Sequence, residues 1–120
     1  MNGKIRTARI YEPVSEEDGC RILADRLWPR GIKKEDAQID EWVKETAPSS
    51  EIRKQFHQDG DYETFQKRYI SELEQNENTT ALISVIREHL KQENVTLLTA
   101  SKDVNHCNVS VLCSYLLERI

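Results

Sequence analysis

The chain has 120 residues, 38% of them hydrophobic and 32% charged, with a formal net charge of −4. That length suits one domain, residues 1–120, with a real core and leaves no room for two. The acidic balance argues against a general DNA binder, which needs a broad basic surface to displace counterions. No run of about 18 apolar residues is available to span a membrane.

The first residues, Met1-Asn2-Gly3-Lys4-Ile5-Arg6, lack the apolar centre of a signal peptide. Three cysteines without motif spacing fit a reducing compartment better than a disulfide scaffold, so a cytoplasmic location is expected. Charge is unevenly distributed: residues 1–34 carry eight Lys/Arg against five Asp/Glu, and residues 35–120 carry nine against sixteen. The acidic excess falls on predicted helices, where solvated faces account for it.

In chain order, residues 5–11 mix β-branched, aromatic and basic side chains and read as a first strand. Residues 12–19 form a polar turn containing Pro13 and Gly19. Residues 21–26 read as a short buried strand that runs into Asp25-Arg26-Leu27-Trp28-Pro29-Arg30-Gly31. Pro29 removes a backbone donor and biases Trp28 toward an extended conformation, and Gly31 permits a sharp exit. Residues 33–38 read as a loop or one helical turn, and residues 39–45 as a strand closed by Pro48.

Helical signals follow. Pro48-Ser49-Ser50-Glu51 starts a helix with a serine cap and an early acid, running to about His57. A second helix begins near Asp61 and keeps Tyr62, Phe65, Tyr69, Ile70 and Leu73 on one face. After a polar break, Leu82, Ile83, Val85, Ile86 and Leu90 mark a third, with Thr79 or Thr80 as cap. Residues 95–100 are apolar on both sides and predict a central strand. Val109, Leu112, Cys113, Leu116, Leu117 and Ile120 define a last helix from about Asn105. Strands interleaved with helices imply a single three-layer α/β domain with about four mainly parallel strands and flanking helices.

In such sheets ligands bind beyond the carboxyl ends of the strands. Tyr11 follows the first strand, Asp25 to Arg30 the second, Ser49 the third, and Lys102, Asp103, His106 and Asn108 the fourth. Arg26 and Arg30 have the guanidinium forks that grip phosphate or carboxylate, with Asp25 orienting one of them; the plainer reading is an internal Asp–Arg pair. Trp28 is a stacking platform or, more often for such a flank, a cap on the core. Trp42 reads as core.

Lys102, Asp103, His106 and Asn108 form a second constellation. There His106 is a candidate acid or base, and Asp103 or Asn105 a candidate cap for the last helix. Ser49 serves as a helix cap or a ligand contact. Cys107 near a helix start is a weak candidate nucleophile, because the arginine a phosphatase-like loop needs six residues later is Cys113. The cysteines and histidines show no metal-ligand spacing, and no phosphate-binding glycine loop or dinucleotide fingerprint occurs, so neither metal nor cofactor is expected.

Several of these segments together resemble the domain-of-unknown-function family 488, in its small YeaO-like branch. The carriers are the run from Arg21 to Gly31, Trp42-Val43-Lys44, Ala47-Pro48-Ser49, Ile52-Arg53 and Phe56-His57. They continue through the Tyr62, Phe65, Arg68-Tyr69, Glu72-Leu73 helix and the run from Leu97 to Asp103 with His106 and Asn108. The resemblance implies a compact α/β fold and a site at the Asp-Arg and Lys-Asp segments, without an established activity. Wider relatives place a cysteine in the last strand and a Cys-His-Arg run at the next helix. This chain has Thr99 and Cys107-Asn108-Val109 there.

The leading expectation is a small protein that binds an anionic, phosphate- or nucleotide-like ligand at the carboxyl edge. Tyr11, Arg26, Trp28, Arg30, Ser49, Lys102, Asp103 and Asn108 would contact it. Asp25 and His106 would supply acid–base chemistry for hydrolysis or transfer. The alternative is a non-catalytic module whose Trp28-Pro29-Arg30 loop engages a protein or single-stranded nucleic acid. A concave pocket with converging charges distinguishes the first from a flat Trp/Arg surface.

Overall fold

Four strands, β1 (Ile5–Arg9), β2 (Cys20–Leu23), β3 (Glu41–Trp42) and β4 (Val95–Thr99), form one sheet in the order β1-β4-β2-β3. The structure, a computed structural model, describes residues 3–120. Every neighbouring pair is parallel, with Ile5 opposite Val95, Cys20 opposite Val95 and Ile22 opposite Glu41. Parallel pairing brings all carboxyl ends to one edge. As its two-sided apolarity predicts, β4 lies inside the sheet, and all five of its residues are buried.

Strand alternation sends successive side chains to opposite faces. On one face Cys20, Ile22, Val95 and Leu97 join a core with side chains from α2 (Ser50–Asp59), α3 (Tyr62–Gln75), α4 (Thr79–Leu90) and α5 (Asn108–Arg119). On the other, Leu23 and Leu98 pack with Ile10 and Ala37 under Trp28, Ile32, Ile39 and Trp42. That second cover is thin. It consists of the one-turn α1 (Lys34–Ala37) and the loops beside it.

Several element limits differ from expectation. β1 ends at Arg9 and β2 at Leu23, each followed by one more backbone hydrogen bond to β4, from Ile10 N–H to the Thr99 carbonyl at 2.8 Å and from Ala24 N–H to the Leu98 carbonyl at 3.0 Å, before the chain leaves the sheet. β3 keeps only two paired residues: Ile39 turns into the thin cover, and Lys44–Thr46 tighten into a 3-10 turn. α2 continues to Asp59, where Gly60 at φ +65° takes the left-handed position and its N–H donates to the Phe56 carbonyl at 2.8 Å. Ser49 caps its start, accepting from the Ile52 N–H at 3.5 Å. α5 begins at Asn108 rather than near Asn105. No helix among the described residues is long and apolar enough to cross a membrane.

One charged group is built into the thin cover. Arg21 is buried and pairs with buried Asp18, which also accepts from the Ser15 N–H at 3.0 Å and pairs with the more exposed Arg6 at 3.4 Å. Arg21 also donates to the carbonyls of Gln38 at 3.0 Å and Ala37 at 3.2 Å. The guanidinium thus ties the turn before β2 to α1 after it. Asp18→Ala leaves that charge buried without its counter-ion, and urea denaturation is expected to show a loss of roughly 3–5 kcal/mol. A loss below about 1 kcal/mol, the range of an exposed pair, would contradict a clamping role.

Candidate functional site

The ladder runs one residue past β2, with the Ala24 N–H donating to the Leu98 carbonyl at 3.0 Å. Asp25 follows at the carboxyl edge. Its Oδ1 accepts from the Thr99 hydroxyl at 2.8 Å and from Asn108 Nδ2 at 2.9 Å, and its Oδ2 accepts from the Ala100 N–H at 2.8 Å. One carboxylate therefore joins the ends of β2 and β4 to the first residue of α5. Asn108 Nδ2 also reaches the Ala24 carbonyl at 3.3 Å, and Thr99 Oγ1 accepts from the Ser101 N–H at 3.1 Å.

Arg26 turns the other way along the same edge. Its Nε donates to the Pro48 carbonyl at 3.1 Å and its Nη2 to the Ala47 carbonyl at 3.0 Å, which fixes the approach to α2. Between this edge, α2 and the starts of α3 and α5 lies a cleft of about 1290 Å³. Arg26, Arg53, Lys54 and Lys102 line it against two acids, Asp25 and Asp103. Its apolar wall is aromatic. Phe56 stacks on Phe65 with ring centres 4.6 Å apart, and Tyr62 hydrogen-bonds Ser110 at 2.6 Å. His106 sets its ring edge-on to Tyr62 at 5.2 Å and its Nδ1 3.1 Å from Asp103 Oδ2.

The fold brings Asp25, Arg26, Lys102, Asp103, His106 and Asn108 to one cleft. Tyr11, Trp28, Arg30 and Ser49 are not among its lining residues. Trp28 lies in the thin cover, donating from Nε1 to the Ile32 carbonyl at 2.7 Å and meeting Trp42 edge-on at 5.4 Å. Arg30 is exposed, and its carbonyl accepts from the Tyr11 hydroxyl at 2.9 Å. Ser49 caps α2 and donates its N–H to Glu72 Oε1 at 2.9 Å.

Sequence reasoning did not count Arg53, Lys54 or His57 among the ligand-contacting residues. A signal existed: Ser50, Arg53, Lys54, His57 and Gln58 recur at helical spacing along α2, and all line the cleft. Cys107 also lines it, but its thiol is buried and burial pushes its pKa up, against weaker lowering by hydrogen bonds from Val109, Ser110 and Ser101. Proton-bearing and enclosed, it is a poor nucleophile.

Two outcomes follow from this geometry. Asp25→Asn puts an amide N–H₂ where donors converge and is expected to cost roughly 2–4 kcal/mol in chemical denaturation, from lost charge-assisted hydrogen bonds. A change within about 0.5 kcal/mol, typical of a surface site, would mean the carboxylate does not tie these elements. Cys107, held protonated, is expected to resist alkylation in the native protein near neutral pH and to react once the chain is unfolded. Rapid native labelling at Cys107, read by mass spectrometry, would show a thiolate the geometry does not support.

Comparisons with known proteins find uncharacterised relatives along nearly the whole chain. It is 44% identical over 113 residues to "Uncharacterized protein YeaO" of Escherichia coli, covering 93% of this chain and 96% of that one. It is 35% identical over 114 residues to "Uncharacterized protein Rv3073c" of Mycobacterium tuberculosis, covering 94% of this chain and 93% of the relative. The same identity and coverage hold for "Uncharacterized protein Mb3100c" of Mycobacterium bovis. No solved structure gives a significant match. A family model described as "Inactive DUF488-N3 subclade" matches residues 4–120, and the chain belongs to that subclade.

Proposed function

We propose that the protein binds a small anionic ligand, phosphate- or nucleotide-like, in the cleft at the carboxyl edge of the sheet. The observation that carries this reading is the sign of the cleft. A chain with net charge −4 gathers Arg26, Arg53, Lys54 and Lys102 around one concavity. Among the described residues, Arg53, Lys54 and Lys102 take part in no ion pair, so their charge is not cancelled by a neighbour. The N-terminal end of α5 opens on the same space, and helix amides favour an anion there. Phe56 and Tyr62 offer apolar faces on which a base could stack.

Binding without turnover is the version these residues support. Asp25 spends both carboxylate oxygens on internal donors, which suits an organiser of the edge better than a base. The description of the subclade as inactive points the same way. The His106–Asp103 pair is exposed and left to hydrogen-bond the ligand rather than to relay a proton. A cytoplasmic setting belongs to the same reading, since all three cysteines are free.

The competing reading, a protein- or nucleic-acid-binding loop at Trp28-Pro29-Arg30, draws support from the exposure of Leu27 and Arg30. Trp28 weakens it, because its indole N–H and one ring edge are already engaged inside the fold. Calorimetric titration with inorganic phosphate and with nucleoside mono- and triphosphates separates the two. Arg53→Ala and Lys102→Ala are each expected to weaken binding about tenfold, the loss of one charge-assisted contact, while Arg30→Ala leaves it unchanged. Binding lost in Arg30→Ala and intact in Arg53→Ala would transfer the function to the loop.

A further inference from the structure

At the opposite, amino-terminal edge of the sheet the backbone is tightly interlocked. The Cys20 N–H donates to the Asn94 carbonyl at 2.8 Å, and Gly3 donates to the Leu90 carbonyl at 2.6 Å. Asn94 in turn accepts from the Lys4 N–H at 2.8 Å and donates to the Glu17 carbonyl at 2.7 Å. There is no space for side chains between these segments. A Cβ on Gly3 would lie 1.8 Å from the Glu93 oxygen, and one on Gly19, already at φ +62°, would lie 2.1 Å from the Asn94 oxygen. The start of β2 and the turn after α4 are thus held in fixed register.

Three unlike side chains meet on that frame. The sulfur of Cys20, a ring nitrogen of His89 and a carboxylate oxygen of Glu93 all lie within 4.8 Å of one another. His89 Nδ1 and Glu93 Oε2 are already 3.0 Å apart, on residues whose turn is closed by the Glu93 N–H donating to the His89 carbonyl at 2.9 Å. Cys20 is 1% exposed, whereas the His89 and Glu93 side chains are 36% and 42% exposed, so one side is wall and the other opens to solvent. Burial first, and then the carboxylates of Asp40, Glu93 and Glu41, push the Cys20 thiol up to about 12, so a cation binds there only by displacing the thiol proton.

We propose that Cys20, His89 and Glu93 form a three-ligand site for a zinc-type divalent cation, with solvent water in the fourth position. The donor set selects the class: thiolate sulfur and imidazole nitrogen suit zinc, whereas calcium and magnesium take oxygen ligands. A tetrahedral zinc centre spaces its ligand atoms roughly 3.5 Å apart, so on metal binding the His89–Glu93 pair, now 3.0 Å apart, opens slightly and the approaches to the Cys20 sulfur, within 4.8 Å, close by side-chain rotation. On uptake a sulfur–metal bond forms and the Cys20 proton leaves to solvent; no oxidation is involved. The bound ion would staple the start of β2 to the end of α4. Ligand spacing could not reveal this site, because Cys20 reaches the His89–Glu93 pair only through sheet pairing.

The test uses the full chain, reduced and stripped with chelator. Zinc is titrated against a chromophoric indicator, and cobalt(II) is then substituted to read thiolate-to-metal charge transfer in the near ultraviolet. The expected result is one metal per chain, a charge-transfer band, and a melting temperature that rises with free zinc. His89→Gln and Glu93→Gln, both at partly exposed positions, are each expected to weaken zinc at least as much as the 10–100-fold typical of losing a supporting contact around a metal. Cys113→Ala leaves the titration unchanged. Absence of zinc uptake by the wild-type chain, or uptake indifferent to His89→Gln, would overturn the proposal, as would a band that survives in folded Cys20→Ser. Should Cys20→Ser fail to fold by circular dichroism, the two surface variants decide alone.

Discussion

The position of every cleft residue depends on how the carboxyl edge of the sheet is finished, and the Asp25 carboxylate finishes it. Parallel strands leave their last carbonyls and amides without ladder partners, and here two strand ends and one helix start lie within reach of one side chain. Asp25 collects the Thr99 hydroxyl, the Ala100 amide and the Asn108 side-chain amide, so the ends of β2 and β4 and the start of α5 are held in fixed relation. The adjacent Arg26 does the same for the approach to α2 by donating to two successive carbonyls. With both flanks pinned, the cleft is bounded by fixed elements rather than by a mobile lid. A preformed site loses less ordering entropy on binding, which suits recognition of a small ligand.

That same arrangement explains how a member of a subclade described as inactive can keep a well-formed cleft. The polar residues at its floor are committed to one another. What remains for a ligand is positive charge on Arg53, Lys54 and Lys102, aromatic surface and the His106–Asp103 pair. Wider relatives place a cysteine in the last strand; this chain has Thr99 there, and its hydroxyl serves the edge by donating to Asp25.

Much of this was legible in the sequence, and for identifiable reasons. The apolar run of β4 announced a central strand, and the stripes Phe65, Tyr69, Leu73 and Val109, Leu112, Leu116 announced the packed faces of α3 and α5. The rule that ligands sit beyond the carboxyl ends pointed to the edge where Asp25, Arg26, Lys102 and His106 line one cleft. It cannot say on which side of the sheet a following loop falls. Trp28 and Arg30 follow Asp25 directly, yet Trp28 is drawn to the thin cover, where Trp42, Ile32 and Leu98 offer apolar contact. Arg53 and Lys54 were hidden by a habit of reading a polar helix face as mere solvation. The meeting of Cys20 with His89 and Glu93 was beyond sequence reading altogether, since it depends on a register set by strands far apart in the chain.

The most direct test of the central claim is an amide nitrogen–proton correlation titration of the isotopically labelled chain with a nucleoside triphosphate. A ligand in the cleft perturbs resonances of Arg53, Lys54, Ser101, Lys102 and His106 in a saturable way and leaves Trp28, Arg30 and Gly31 in place. Saturable shifts confined to the Trp28–Gly31 loop, or none at millimolar ligand, would contradict the assignment of the cleft as the binding site.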